Sequence, residues 1–409
     1  MALTPTHAKL KSMFNWYRVR KCCYKVISTA ALCCFMISNV SADWLHIPGQ
    51  LTVEILQTPT PMVALKKYYL VYELHLTNYQ HAPVTLASLE IFTSEASDNH
   101  VPAFKFESKD LEKLMHPIGN SDNANQDQNN LRVIQAGNST IVFLWLPFNS
   151  EKSLPKQLIH KITFNTSHKN ETVTLVTLTD PMIITKTPPM IVSPPLGGDD
   201  WVAGAGPSNT SYHRAANLVV NGHDYFAQRY AIDFIKLGSD GIAFKGDGSK
   251  NENYYCYGKD IFAVSSGTVV DIKDEIPENI PQSGKTALPM DMDTVGGNYV
   301  VIDMGNNHYA FYAHMIPKSL KVKRGDRVIR GQILGRVGNS GNSTEPHLHF
   351  HMVDKPSFLG GNGLPYAFDK FFIRPSKLLN NDPFQVQFLN DSLQPATNEL
   401  VLENTVITF

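Results

Sequence analysis

The stretch Pro346-His347-Leu348-His349-Phe350-His351 alternates histidine with large apolar residues. That is the period of a β-strand, where every second side chain shares a face and neighbours on that face lie about 6.5 Å apart. Two such neighbours reach one small site. A zinc ion takes about four ligands at roughly 2 Å, mixing imidazole and carboxylate, and a catalytic site keeps one position open. Histidines on a buried face also resist protonation near neutral pH, which favours metal binding. The competing reading is three strand histidines that pack or hydrogen-bond, and on these residues alone both stand.

Upstream, the chain continues to read as strands. Residues 258–264 lead through a turn at Ser266-Gly267 into 268–272. Residues 298–303 alternate and join 308–314 through a turn at Gly305-Asn306-Asn307. A polar strand over 320–323 gives way to Arg324-Gly325-Asp326 and then to 328–335. Between them, 274–295 carry Pro277, Pro281 and Pro289 and few core residues. That segment is too long for a hairpin turn and is expected to form a flap or a wall beside the site.

Farther out, residues 43–195 repeat short strands with polar turns. Tyr68, Leu70, Tyr72, Leu74 and Leu76 occupy every second position, which predicts a strand with one buried face. Further strands are expected over 84–92, 131–135, 139–146, 158–165 and 172–177, with a polar stretch over 119–130. This pattern predicts an immunoglobulin-like β-sandwich. Its histidines (His75, His81, His100, His116, His160 and His168) are scattered and read as surface or strand residues, not ligands. Pro188-Pro189, Pro194-Pro195, Gly197-Gly198 and Gly204-Ala205-Gly206-Pro207 are breaker signals, and 196–207 are expected as a linker. The expected second domain is 208–375, followed by a C-terminal extension, 376–409, from which one or two strands return to a sheet. The fold class is therefore all-β.

The first 42 residues contain six basic side chains (Lys9, Lys11, Arg18, Arg20, Lys21 and Lys25) and no acidic one. An apolar centre of about a dozen residues follows, ending in Val40-Ser41-Ala42, the form of a cleaved export signal. An uncleaved membrane anchor is the alternative, but such a span needs roughly 20 residues. After cleavage no integral membrane span is expected, and the location is periplasmic or extracellular. The remaining 30 basic residues face 37 acidic ones, and a net-negative body lacks the basic field that nonspecific nucleic-acid binding needs. Four of the five cysteines (Cys22, Cys23, Cys33 and Cys34) lie in the leader. Cys256 alone remains, without a disulfide partner, and reads as a loop or core cysteine.

Several segments of the second domain, in order, resemble the LytM or lysostaphin-type zinc endopeptidase domain of the M23 family. They are residues 258–272, Gly297-Asn298-Tyr299-Val300-Val301-Ile302, Tyr312-Ala313-His314, Val322-Lys323-Arg324-Gly325-Asp326, and Gly335-Arg336-Val337-Gly338 running into Pro346-His347-Leu348-His349-Phe350. The resemblance implies a Zn2+-dependent hydrolase of peptide bonds in peptidoglycan stem peptides or cross-links. It implies that Asp233 and His349 are zinc ligands and that His314 and His347 are catalytic. His347 and His314 would then share proton transfer and stabilisation of developing charge.

One position departs from the family. Four residues before Asp233 the family has a histidine, and this chain has Arg229, which stays protonated and has no acceptor. Three arrangements are open. His213 supplies the missing ligand, brought back by a hairpin around Gly222. Alternatively His351 or His223 does so. In the third, the site is degenerate and the domain binds or regulates cell-wall enzymes. Arg229 itself is expected to pair with Asp233 or with a substrate carboxylate. His351 and Asn298 are expected beside the site. The loop 338–343 is either a cluster of β-turns or a source of backbone donors to a peptide.

Overall fold

A computed structural model describes residues 51–93, 101–118, 130–169 and 171–409. The expected leader, His100 and most of the polar stretch 119–130 lie outside the described residues. The described chain is almost entirely β-structure, and Ser108–Glu112 is its one α-helix. Among the described residues no helix is long and apolar enough to cross a membrane.

The N-terminal part is a sandwich of two antiparallel sheets. In one, Leu51–Glu54, Lys67–Asn78, Ser139–Phe148 and Met115–Pro117 lie side by side, with Met62–Ala64 also on Lys67–Asn78. In the other, the order is Glu171–Leu178, Gln157–His168, Val84–Phe92 and Phe104–Glu107. Leu70, Tyr72, Leu74 and Leu76 enter the core between the sheets with Leu86, Leu89, Ile162 and Phe164. The strand Lys67–Asn78 was expected to bury one face. Its other face is covered too: Tyr69 and Val71 belong to the core of the second half, and Glu73 is buried beside them.

The second half is organised on a ten-stranded antiparallel sheet. Its order is Arg327–Val328, Gly267–Lys273, Asn298–Asp303, Tyr309–Met315, Leu348–Val353, Ile232–Lys236, Trp201–Ala203, Val406–Thr408, Phe371–Arg374 and Gln394–Ala396. Residues 196–207, expected as a linker, instead contribute Trp201–Ala203, whose three side chains are buried in the middle of this sheet. A three-residue strand between glycines and prolines is too short for its alternation to show. The C-terminal residues return to the same sheet through Val406–Thr408, while Ser376–Leu379 and Asp382–Phe388 form a separate hairpin.

The insertion 274–295 forms no strand and walls the loop 338–343. Glu278 accepts hydrogen bonds from the Asn339 amide (3.0 Å) and the Tyr257 hydroxyl (2.7 Å). Asn279 Nδ2 donates to Gly341 O and Ser343 O. The loop also lies against Gly297. A Cβ on Gly341, which has φ +76°, would stand 2.2 Å from Gly297 N, so this close crossing requires glycine.

Candidate metal centre

Asp233 on Ile232–Lys236 pairs directly with His349 on Leu348–Val353, and His349 pairs on its other side with Ala313. Directly paired residues of antiparallel strands project from the same face. His349 Nδ1 lies 2.9 Å from Asp233 Oδ1. Regular pleating would turn His314, one residue after Ala313, to the opposite face. The strand is irregular there, with a register shift opposite 298–300, and His314 has φ +66°. Such a left-handed residue is strained, and a bulge re-aims its side chain. The His314 ring consequently lies 4.9 Å from that of His347 and 5.7 Å from that of His349, centroid to centroid.

His213 reaches the same carboxylate from a loop. Trp201–Ala203 runs antiparallel beside Ile232–Lys236, and Gly204 N donates to Asp233 O. The next carbonyl, Ala205 O, accepts from His213 Nδ1 at 2.7 Å, which leaves His213 Nε2 3.5 Å from Asp233 Oδ2. His314 and His347 are held alike: His314 Nδ1 donates to Ser340 O (2.7 Å) and His347 Nδ1 to Glu345 O (2.8 Å). A carbonyl only accepts, so the neutral form of each ring carries its proton on Nδ1 and keeps a lone pair on Nε2. His347 Nε2 points at Asp233 Oδ1, 3.5 Å away.

His213, Asp233 and His349 each offer a ligand atom, all within 4.8 Å of one another, and all three residues are buried. Donors about 2 Å from a tetrahedral ion stand roughly 3.3 Å apart, so the separations of 3.5 Å and 2.9 Å suit a metal. The donor set, two imidazoles and a carboxylate, is one that zinc takes. Protonation states agree. Burial holds His213 down at about 4, against the opposing pull of Asp233. Burial, and then the neighbouring rings of His347 and His349, hold His314 well below the usual imidazole range. Burial alone would raise the Asp233 carboxyl, but His213, His347 and His349 around it keep it well below the usual carboxylate range.

The other expected residues have other places. Arg229 touches neither Asp233 nor open solvent. Its Nε and Nη2 bind the Glu73 carboxylate on the sandwich (2.8 and 2.6 Å), and Nη1 donates to Gly363 O. His351 backs His349, with Nδ1 2.8 Å from His349 Nε2, and its ring stacks on Phe311 at 5.1 Å. Asn298 is buried away from the ligand atoms, bonding Ile276 in both directions and donating to Met315 O. It therefore braces the turn after His314. His223 is exposed in a hairpin formed by Leu218–Val220 and His223–Tyr225. Cys256 is buried with Sγ 3.0 Å from Pro346 O, and burial pushes its thiol up to about 12. In the loop 338–343, the Ser340 hydroxyl donates to Met315 O and the Ser343 hydroxyl to Asn339 Oδ1. These side chains hold the site together. Two residues were missed by reading the sequence: Tyr212, whose hydroxyl donates to Asp233 Oδ2, and Glu73. Tyr212 adjoins His213 and was open to notice; no local signal marks Glu73.

Residues 253–359, about a quarter of the chain, match the family model described as Peptidase family M23. This segment resembles an M23-family peptidase domain. The M23 match includes His314, His347 and His349 and begins after Asp233 and His213. The chain is 46% identical over 57 residues to the peptidoglycan DD-endopeptidase ShyA of Vibrio cholerae, 14% of this chain and 13% of that protein. It is 45% identical over 59 residues to the glycyl-glycine endopeptidase ALE-1 of Staphylococcus capitis, 14% and 16% of the two chains. The similarity thus spans about one seventh of the length of these curated relatives. Among solved structures, the catalytic domain of lysostaphin from Staphylococcus simulans is 24% identical, with 40% of this chain and 88% of that one covered and a TM-score of 0.23.

Proposed function

We propose that the chain is an exported, zinc-dependent endopeptidase of the LytM/lysostaphin type that hydrolyses peptide bonds in peptidoglycan stem peptides or cross-links. The observation that carries this reading is the cluster of His213, Asp233 and His349, with the free Nε2 of His347 aimed at the same carboxylate. In this reading His213 replaces the ligand that Arg229 cannot supply, and residues 208–375 are the peptidase unit beside a sandwich over 43–195. The leader, 1–42, directs the chain to the periplasm or the cell exterior.

His213, Asp233 and His349 would hold zinc, which supplies Lewis acidity toward a carbonyl oxygen and toward water. His314 and His347 are the proton-handling pair. Each keeps Nε2 as a base, and once protonated each can donate to a developing oxyanion. Their backbone carbonyl anchors fix tautomer and ring direction before substrate arrives. Asp233 stays ionised and holds its histidine neighbours in place. His351 orients His349 from behind. The names of the peptidoglycan and glycyl-glycine endopeptidase relatives support the substrate class.

The test is zinc content of the purified full chain together with release of fragments from isolated peptidoglycan. One zinc per chain and cleaved stem peptides are expected. A folded chain that takes up no zinc overturns the metal reading. A zinc-loaded chain that binds peptidoglycan without cutting it overturns the peptidase reading in favour of a binding module.

A further inference from the structure

The segment that carries His213 is laid across the sandwich. Asn209 Nδ2 donates to Phe143 O at 2.9 Å, and the Arg214 guanidinium lies 4.6 Å over the Phe143 ring. Phe226 packs on Phe143 and His75. At the centre of this contact is Glu73, on the face of Lys67–Asn78 turned away from the sandwich core. Its Oε1 accepts from Arg214 Nη1 and Arg229 Nε, and its Oε2 from Arg229 Nη2. Both arginines are buried, at 1% and 3% exposure. Arg214 Nη2 donates to Tyr72 O, and Arg229 Nη1 donates to Gly363 O.

Arg214 is bonded to His213, and Arg229 lies four residues before Asp233. One carboxylate therefore holds the neighbours of two members of the cluster. Two buried guanidinium groups sharing one carboxylate tolerate little displacement, because any shift leaves a buried charge unpaired. The fork geometry of arginine adds direction to that restraint.

We infer that Glu73 is a positioning residue of the metal centre: through Arg214 and Arg229 it sets His213 beside Asp233, so that the sandwich completes a site whose ligands all lie in the other half of the chain. This rests on the metal reading proposed above. It also accounts for Arg229 itself, which leaves the ligand role to His213 and locks the sandwich in place.

The experiment uses the full chain and competition with a chelator. Glu73→Gln, close in size but uncharged, is expected to weaken zinc about 10–100-fold, as loss of a group that orients a ligand does elsewhere. The visible absorption of the cobalt-substituted protein is expected to change with it. Glu399→Gln is the control. Glu399 is buried and accepts from the Lys66 amide at 3.0 Å, a second contact between the sandwich and the rest of the chain, and its variant should keep wild-type zinc affinity. If Glu73→Gln does not fold, Arg214→Lys reads the same quantity, since lysine keeps the charge and loses the fork. Wild-type affinity and an unchanged cobalt spectrum in these variants overturn the inference. So does an equal loss in Glu399→Gln, which would make the contact mere docking. A wild-type chain that takes up no zinc overturns the functional reading and this inference with it.

Discussion

His160, inside the sandwich, and His213, in the second half of the chain, are both buried, and burial lowers both to about 4. Their surroundings differ. His160 Nε2 meets the Tyr72 hydroxyl at 2.7 Å, and Nδ1 lies 3.3 Å from Thr179 Oγ1, so both ring nitrogens are engaged. His213 uses Nδ1 on a carbonyl and turns Nε2 toward a carboxylate. A neutral buried histidine is thus no sign of a site by itself. An unengaged ring nitrogen facing a carboxylate, with further histidines converging on it, is what separates the two regions.

The sharpest way to break that comparison is metal analysis of two variants. His349→Ala should lose zinc and all hydrolysis, whereas His160→Phe should keep one zinc per chain; equal zinc content in the two removes the distinction. Next, His314→Ala should retain zinc and lower the hydrolysis rate about 10²–10⁴-fold, the usual worth of a positioned acid or base. Zinc loss in this variant would make His314 a ligand instead. Glu73→Ala should cost roughly 3–5 kcal/mol in urea unfolding, because it leaves two buried guanidinium groups without their carboxylate. Burial raises the Glu73 carboxyl, but Arg214 and Arg229 outweigh it and bring the group to about 2, below its ordinary 4.5. Its contribution is therefore full above about pH 4.5 and is lost as the pH falls toward 2; the variant should show a flatter pH dependence there.

The smallest effect belongs to His160→Phe, about 1–3 kcal/mol for leaving the buried Tyr72 hydroxyl unpaired. With a folded value near 4 against 6.5 when exposed, His160 is protonated first in the unfolded chain. Stability consequently falls as the pH drops from about 6.5 to 4, and His160→Phe should reduce that slope. An unchanged slope would mean that other groups set the acid response.

Strand content was legible because alternation is local. The strand expected over 84–92 is found as Val84–Phe92, and 139–146 as the longer Ser139–Phe148. The second buried face of Lys67–Asn78 was not legible, since what covers Tyr69 and Val71 arrives more than a hundred residues later. Trp201–Ala203 was hidden by the glycines and prolines around it. The expected pairing of Arg229 with Asp233 followed from proximity along the chain, yet its carboxylate partner is Glu73, 156 residues away.

By itself the sequence determined the all-β class and the alternating histidines of 347–351, because a strand's period depends on nothing but its own residues. His347 and His349 are two apart in any fold that keeps this strand. The tertiary structure alone decided which histidine joins Asp233 and His349. That choice depends on the sheet register that brings Gly204 N to Asp233 O, on Ala205 O holding the His213 ring, and on Glu73 drawing Arg229 and Arg214 to the sandwich. None of these contacts joins neighbours in the chain, and no local pattern of residue types encodes which of several histidines such contacts bring to the carboxylate.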